Sequence, residues 1–216
     1  MTRPDATDLP RPRFARAYQR TANRADERGV AEHRRRLLAG LSGTVLELGA
    51  GHGLNFPHYP GTVSEVIAIE PEPTLRSQAI HAAAGAPVSI RILGGTADHV
   101  PVDDQSVDAA VVSLVLCSVP DQDRALAELH RAVRAGGELR FYEHVIPDSQ
   151  PKRFLVQLID HSGLWPKVAG GCHPARDTGA AIRRNGFEIQ TSERIMVAVS
   201  RLEPSIPHIL GVARRI

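Results

Sequence analysis

Chemistry is first written into residue spacing at Glu47-Leu48-Gly49-Ala50-Gly51-His52-Gly53. Glycines directly after an apolar run such as Thr44–Leu48 allow positive φ and close approach of the backbone to a ligand. The spacing is G-x-G-x-G, not the G-x-G-x-x-G of dinucleotide phosphate loops. A carboxylate at Glu47, two residues before the first glycine, offers nothing to a phosphate. It suits a ligand that carries a cationic amine. Glu70 follows Gly53 by 17 residues and closes a second apolar run, where an acid can accept from both hydroxyls of a ribose. Gly95-Thr96-Ala97-Asp98 follows a third run, and an acid there can accept from an adenine amino group.

These residues need a scaffold that carries them to one edge. Thr44–Leu48, Val66–Ile69, Val88–Leu93 and Glu138–Val145 are short apolar runs bounded by Gly, Pro or Asp and read as strands, and Val107–Leu116, the most apolar run, contains another, the fourth in chain order. Glu72–Ala84 and Gln122–Ala135 between them have helical spacing; Asp121 and Gly136-Gly137 bound the second as caps do. Strands alternating with helices predict an α/β fold, and near-continuous apolar strands predict a parallel sheet covered on both faces.

Upstream, Ala15, Tyr18, Ala22 and Ala25 recur at helical spacing, Leu37, Leu38 and Leu41 close the segment, and Gly29 divides it. Downstream, helices are expected at Pro151–His161 and Asp177–Asn185, and two strands at Phe187–Val199 and His208–Ala213. Residues 1–12 hold three prolines and read as a disordered tail. Residues 13–216 read as one domain, with cap helices over 13–42 and a lid or substrate region over 146–176.

Composition narrows the partners. Residues 1–36 carry a net charge of +5 and the remainder −3. Aromatics make up only 4% of the chain, which argues against stacking on nucleic-acid bases, so no nucleic-acid partner is expected. The run Arg34-Arg35-Arg36 reads as a solvated helix face. The longest nearly apolar run, Ala109–Val119, is too short to span a bilayer, and the first residues lack a signal-peptide core. A cytoplasmic protein is expected, with peripheral membrane contact left open and a monomer or homodimer equally open. Cys117 and Cys172 make no disulfide framework. Cys172 beside His173 offers two ligands without a third at standard spacing, so no metal is expected.

Four segments in order carry a resemblance: VLELGAGHGLN, IAIEPEP, GTADHVPVDDQSVDAAV and LHRAVRAGGELRFYEHV. Over about residues 30–145 the chain resembles class I S-adenosylmethionine (SAM)-dependent methyltransferases of the type 11 branch. The stretches GLNFPHYP, SLVLCSVPDQ, FYEHV, GGC-x-x-x-RD and PHILG resemble the alkyl-thiol methyltransferase subgroup. The resemblance implies a Rossmann-like seven-stranded sheet with an antiparallel C-terminal pair. It implies SAM as cofactor and S-adenosylhomocysteine as product. Gly49, Gly51 and Gly53 are then expected against the methionine part, Glu47 acting on its ammonium through water or its loop, Glu70 on the ribose, Ala97 and Asp98 on adenine, Ser113 near the methionyl group, and His52 and Asn55 as further contacts.

Acceptor residues are expected at the carboxyl ends of the fourth and fifth strands and in the late loop. His144, Cys117 and His173 are the catalytic candidates, with His144 favoured as a base; Tyr142, Glu143, Cys172 and Arg176 are the candidates for holding the substrate. The expected reaction is methyl transfer to a small nucleophile, a thiol by resemblance. The alternatives are an O- or N-methyltransferase acting on a metabolite, quinone-like precursor or lipid head group, and a non-enzymatic SAM- or nucleic-acid-binding module.

Overall fold

The computed structural model describes residues 8–163, 165, 170–198 and 205–216. Helices α1 (Pro12–Ala25) and α2 (Ala31–Leu38) meet at a kink over Asp26–Val30. Gly29 makes the kink at φ 110°, a region closed to most side chains. The chain then runs through β1 (Gly43–Leu48), β2 (Val63–Ile69), α3 (Pro73–Ala83), β3 (Ser89–Leu93), β4 (Val107–Ser113), α4 (Gln122–Ala132) and β5 (Val133–His144). It continues with α5 (Gln150–His161), α6 (Thr178–Arg184), β6 (Phe187–Val197) and β7 (Ile206–Arg215).

The seven strands form one sheet in the order β3-β2-β1-β4-β5-β7-β6. The pairs β3–β2, β2–β1, β1–β4 and β4–β5 are parallel, while β7 runs antiparallel to β5 and to β6. The strand order reverses between β1 and β4. Their carboxyl ends therefore flank the crevice in which open α/β sheets take ligands.

Side-chain alternation splits the core between the two faces. Leu46, Leu48, Ile67, Val112, Leu139 and Phe141 pack with Leu126 and Leu129 of α4 and Ile182 of α6. On the opposite face Val45, Val66, Val111 and Tyr142 pack with Leu37 and Leu38 of α2, with Ala79 of α3 and with Phe56 of the turn after β1. Burying each such leucine, isoleucine or valine contributes about 1.5–3 kcal/mol, which is why strands apolar on both faces hold this layered arrangement. Helix α5 differs: none of its residues is buried, and Phe154 is 71% exposed.

Several expectations shift. Within Val107–Leu116 the fourth strand ends at Ser113, and Leu114 turns to φ 61°. Gly136-Gly137 does not cap α4, which already ends at Ala132; both glycines lie inside a β5 that starts at Val133. There a Cβ on Gly137 would stand 2.6 Å from the Asp108 carbonyl oxygen, so the close β4–β5 approach needs glycine. The expected tail falls partly outside the described residues. Its described end is held: Leu9 N–H donates to Pro71 O, Arg76 to Asp8, and Arg11 N–H to Glu72. Among the described residues no helix is long and apolar enough to cross a membrane.

Candidate active site

The glycine loop leaves β1 and leans on β2, with Gly49 and Ala50 N–H both donating to Ile69 O. Gly51 stands at φ 60° with the Tyr18 ring overhead; a Cβ there would come within 3.2 Å of it. Tyr18 belongs to α1, stacks on Phe14 and meets His52 edge-on. Helix α1 thus covers the loop. His52 Nε2 donates to Asn23, while its buried Nδ1 has no hydrogen-bond partner among the described residues.

Two buried acids frame the loop. One oxygen of Glu70 accepts from Gly51 N–H at 2.7 Å and the other from Glu72 N–H at 2.9 Å. Burial pushes its carboxyl up to about 7 against these bonds. Glu47 accepts from Asn55 at 2.8 Å and from Tyr59 OH at 2.7 Å, and burial pushes it up to about 7 as well. Ala97 is half-buried in the loop after β3, and Asp98 is exposed with its carboxyl lowered first by a hydrogen bond from Thr96.

Arg34 changes the reading of the basic head. It is only 4% exposed, unlike Arg35 and Arg36, and is not part of a solvated face. Its guanidinium donates to Asp26 at 2.9 Å, Asn55 at 2.9 Å and Ser113 at 3.3 Å. One arginine thereby joins the cap helices, the glycine loop and the end of β4. The signal was in the helical spacing: Val30, Arg34, Leu37, Leu38 and Leu41 share one face, and the other four are buried.

The second end of the crevice is built by β4, β5 and the loop before α6. Glu143 is fully buried, and its carboxylate accepts from the N–H groups of Val115, Leu116 and Cys117 at 2.8, 3.1 and 3.2 Å. It fixes the turn after β4. Tyr142 is also fully buried, with its hydroxyl 3.2 Å from His33 Nδ1 and its ring stacked on His208. His208 lies edge-on to His144 at 4.2 Å.

The structure brings Cys117, His144 and Cys172 together. His144 Nδ1 is 3.2 Å from Cys172 Sγ. Cys117 hydrogen-bonds to Cys172 and thereby holds that thiol below its ordinary value; the same contact, with burial, pushes Cys117 well above its own. The glycines before Cys172 make the approach possible. A Cβ on Gly171 would stand 2.8 Å from the Ser118 carbonyl oxygen, and one on Gly170 would enter the Phe14 ring. His173 and Arg176 turn elsewhere. His173 pairs with Asp160 at 3.0 Å and donates its N–H to Cys117 O, while Arg176 donates to the carbonyls of Leu116 and Pro120.

Residues 46–141 match the family model of a methyltransferase domain. The chain is 35% identical over 182 residues to the thiol S-methyltransferase TMT1A of Homo sapiens, a match that covers 81% of this chain and 72% of that protein. This chain is a class I SAM-dependent methyltransferase of the thiol S-methyltransferase-like subgroup. The fold of this methyltransferase recurs in a SAM-dependent methyltransferase of Thermotoga maritima, described as a possible histamine N-methyltransferase. That likeness has TM-score 0.68 at 21% identity and covers 94% of this chain and 97% of that one. It recurs also in geranyl diphosphate methyltransferase solved with SAM, at TM-score 0.66 and 18% identity, over 86% and 84%.

The methyltransferase's own residues fit its cofactor. SAM carries a carboxylate and an ammonium at one end and a ribose diol at the other. The crevice has a buried guanidinium, a buried carboxylate–amide pair and a second buried carboxylate, with the free His52 Nδ1 beside them. Arg34, Tyr18 and Tyr59 are the residues at this candidate site that the sequence did not single out.

Proposed function

We propose that this methyltransferase transfers the methyl group of SAM to the thiol of a small, rather apolar molecule. The observation that carries the acceptor is the relationship to the human thiol S-methyltransferase, which spans most of both chains. The chemistry of the acceptor end supports it: sulfur and imidazole from Cys117, Cys172 and His144, with the nearby carboxylate of Glu143 already committed to backbone. A thiol reacts as its thiolate, and this cluster is the part of the crevice that can favour one.

SAM supplies a methyl already activated by its sulfonium, so the protein's task is largely placement and exclusion of water. Gly49, Gly51 and Gly53 carry the backbone under the methionine part. Arg34, beside Ser113 and Asn55, takes the carboxylate; Glu47 acts on the ammonium through Asn55. Glu70 and His52 take the ribose hydroxyls, and Ala97 and Asp98 take adenine. Tyr18 closes the loop from α1. Tyr142, Glu143, His173 and Arg176 are positioning residues that hold the acceptor wall. Two free cysteines this close together fit a reducing compartment such as the cytoplasm.

A panel of alkyl thiols, phenols and amines incubated with isotopically labelled SAM tests the reading. Labelled methyl thioethers in the product mass spectrum are expected. Labelled phenol ethers or methylamines without any thioether overturn it.

A further inference from the structure

The acceptor wall has the makings of a metal site. Cys117 Sγ, a ring nitrogen of His144 and Cys172 Sγ all lie within 4.8 Å of one another. We propose that these three side chains bind a zinc-class divalent cation and leave its fourth position to the sulfur of the acceptor. The inference rests on the thiol-acceptor reading and deepens it.

The donor set selects the ion. Two sulfurs and an imidazole suit Zn2+ and exclude Mg2+ and Ca2+, which demand oxygen. Zn–S bonds of about 2.3 Å and Zn–N bonds of about 2.0 Å put tetrahedral ligands less than about 4 Å apart, so small side-chain movements close the cluster. Burial keeps competing water away, since Cys117 is 1% and Cys172 8% exposed.

The surroundings hold the ligands without help from an ion. Glu143 fixes the Cys117 amide, His173 N–H donates to the Cys117 carbonyl, and Gly171 lets Cys172 pass close to Ser118. His208 packs edge-on against the His144 ring. Such outer contacts normally orient metal ligands. Three protein ligands, with no fourth among the described residues, is the pattern of a catalytic zinc rather than a structural one. His144 is the least buried of the three and marks the open side.

The step balances. The acceptor thiol coordinates the ion as thiolate and releases its proton to water. A sulfur lone pair forms the new S–CH3 bond while the sulfonium's S–CH3 bond breaks, and that bond's electron pair stays on the departing S-adenosylhomocysteine sulfur. The product thioether is neutral, a poorer ligand than thiolate, and leaves.

Co2+ titration of the reduced, chelator-treated full chain tests this. About one Co2+ per chain is expected, with tetrahedral visible bands and sulfur-to-metal charge transfer. Adding an alkyl thiol should shift the bands, and adding a phenol should not. Cys117→Ser/Cys172→Ser should weaken Co2+ binding about 100-fold or more while SAM affinity, which reports a folded variant, stays put. Uptake equal in wild type and double variant, a spectrum without charge transfer, or bands indifferent to thiol overturns the site. If metal-free protein, verified by elemental analysis, makes thioether at an undiminished rate, the metal site fails and the thiol reading stands. If Co2+ binds as expected but only phenols or amines are methylated, the thiol reading fails and the three-ligand metal site stands without its thiol.

Discussion

The two ends of the crevice are built in opposite ways. The cofactor end is local: Glu47, the glycine loop, Asn55 and Tyr59 lie within a few turns of chain, and Glu70 closes the next strand. The acceptor end is assembled from three distant stretches: the turn after β4, the end of β5 and the loop before α6. A local site is set by short-range geometry. A dispersed one depends on the whole sheet and on tight passages at Gly170 and Gly171. Arg34 is the exception at the cofactor end, since it arrives from the cap helices.

That exception gives the largest expected effect. Arg34→Ala should raise the SAM dissociation constant at least about 100-fold and lower stability by about 3–5 kcal/mol, because Asp26 is left without its buried partner. Calorimetric titration and thermal unfolding check both. Unchanged SAM affinity would sever the cap helices from the cofactor site. Glu70→Gln should weaken SAM binding about 10–100-fold while turnover at saturating SAM is largely kept, since the loss falls on hydrogen bonds to a charged group. Equal loss in turnover would place Glu70 in the chemical step and blur the contrast between the ends.

Glu143→Gln tests the dispersed end. The amide keeps one accepting oxygen and turns its NH2 toward the backbone N–H that the other carboxylate oxygen accepted, costing about 1–3 kcal/mol and several degrees in Tm. The KM for the acceptor should rise while SAM affinity is unchanged, because the disturbed turn lies at the acceptor wall. A shift in SAM affinity instead would show the two ends to be coupled.

The acids at the cofactor end also predict a pH dependence. Burial holds Glu70 near 7, and the role proposed for it on the ribose hydroxyls calls for the ionised form. SAM affinity should therefore fall below pH 7, by up to about tenfold per unit from Glu70 alone, and level off above it, and Glu70→Gln should remove that share and leave the part due to Glu47. Stability runs the other way. Native Glu47 and Glu70 hold their protons more tightly than the unfolded chain does, so Tm should decline as pH rises from the ordinary carboxylate range through about 7. A flat SAM profile between pH 5.5 and 8 would remove Glu70 from the ribose. The smallest effect belongs to Asp98→Ala. The residue is exposed, so a loss of only about threefold in SAM affinity is expected.

The strand positions and the cofactor class were legible because each rests on short-range signals. Apolar runs of strand length, a glycine loop with an acid before it and acids at strand ends all lie within a few residues of one another. Element ends were less legible. Leu114 at positive φ and the β5 that begins at Val133 are answers to sheet pairing, and pairing partners lie far along the chain. Arg34 was hidden for a related reason. Its neighbours Arg35 and Arg36 are solvated, and only the helix face it shares with Val30 and Leu38 sets it apart.

The sequence by itself determined the parallel sheet, the glycine loop and the nucleoside cofactor, since periodicity and turn chemistry act over a few residues. Only the tertiary structure decided that Arg34 is buried, that Glu143 serves the backbone, and that Cys117, His144 and Cys172 share one small volume. Contacts of that kind arise when distant strand ends and loops converge on a single edge, and no spacing along the chain encodes the convergence.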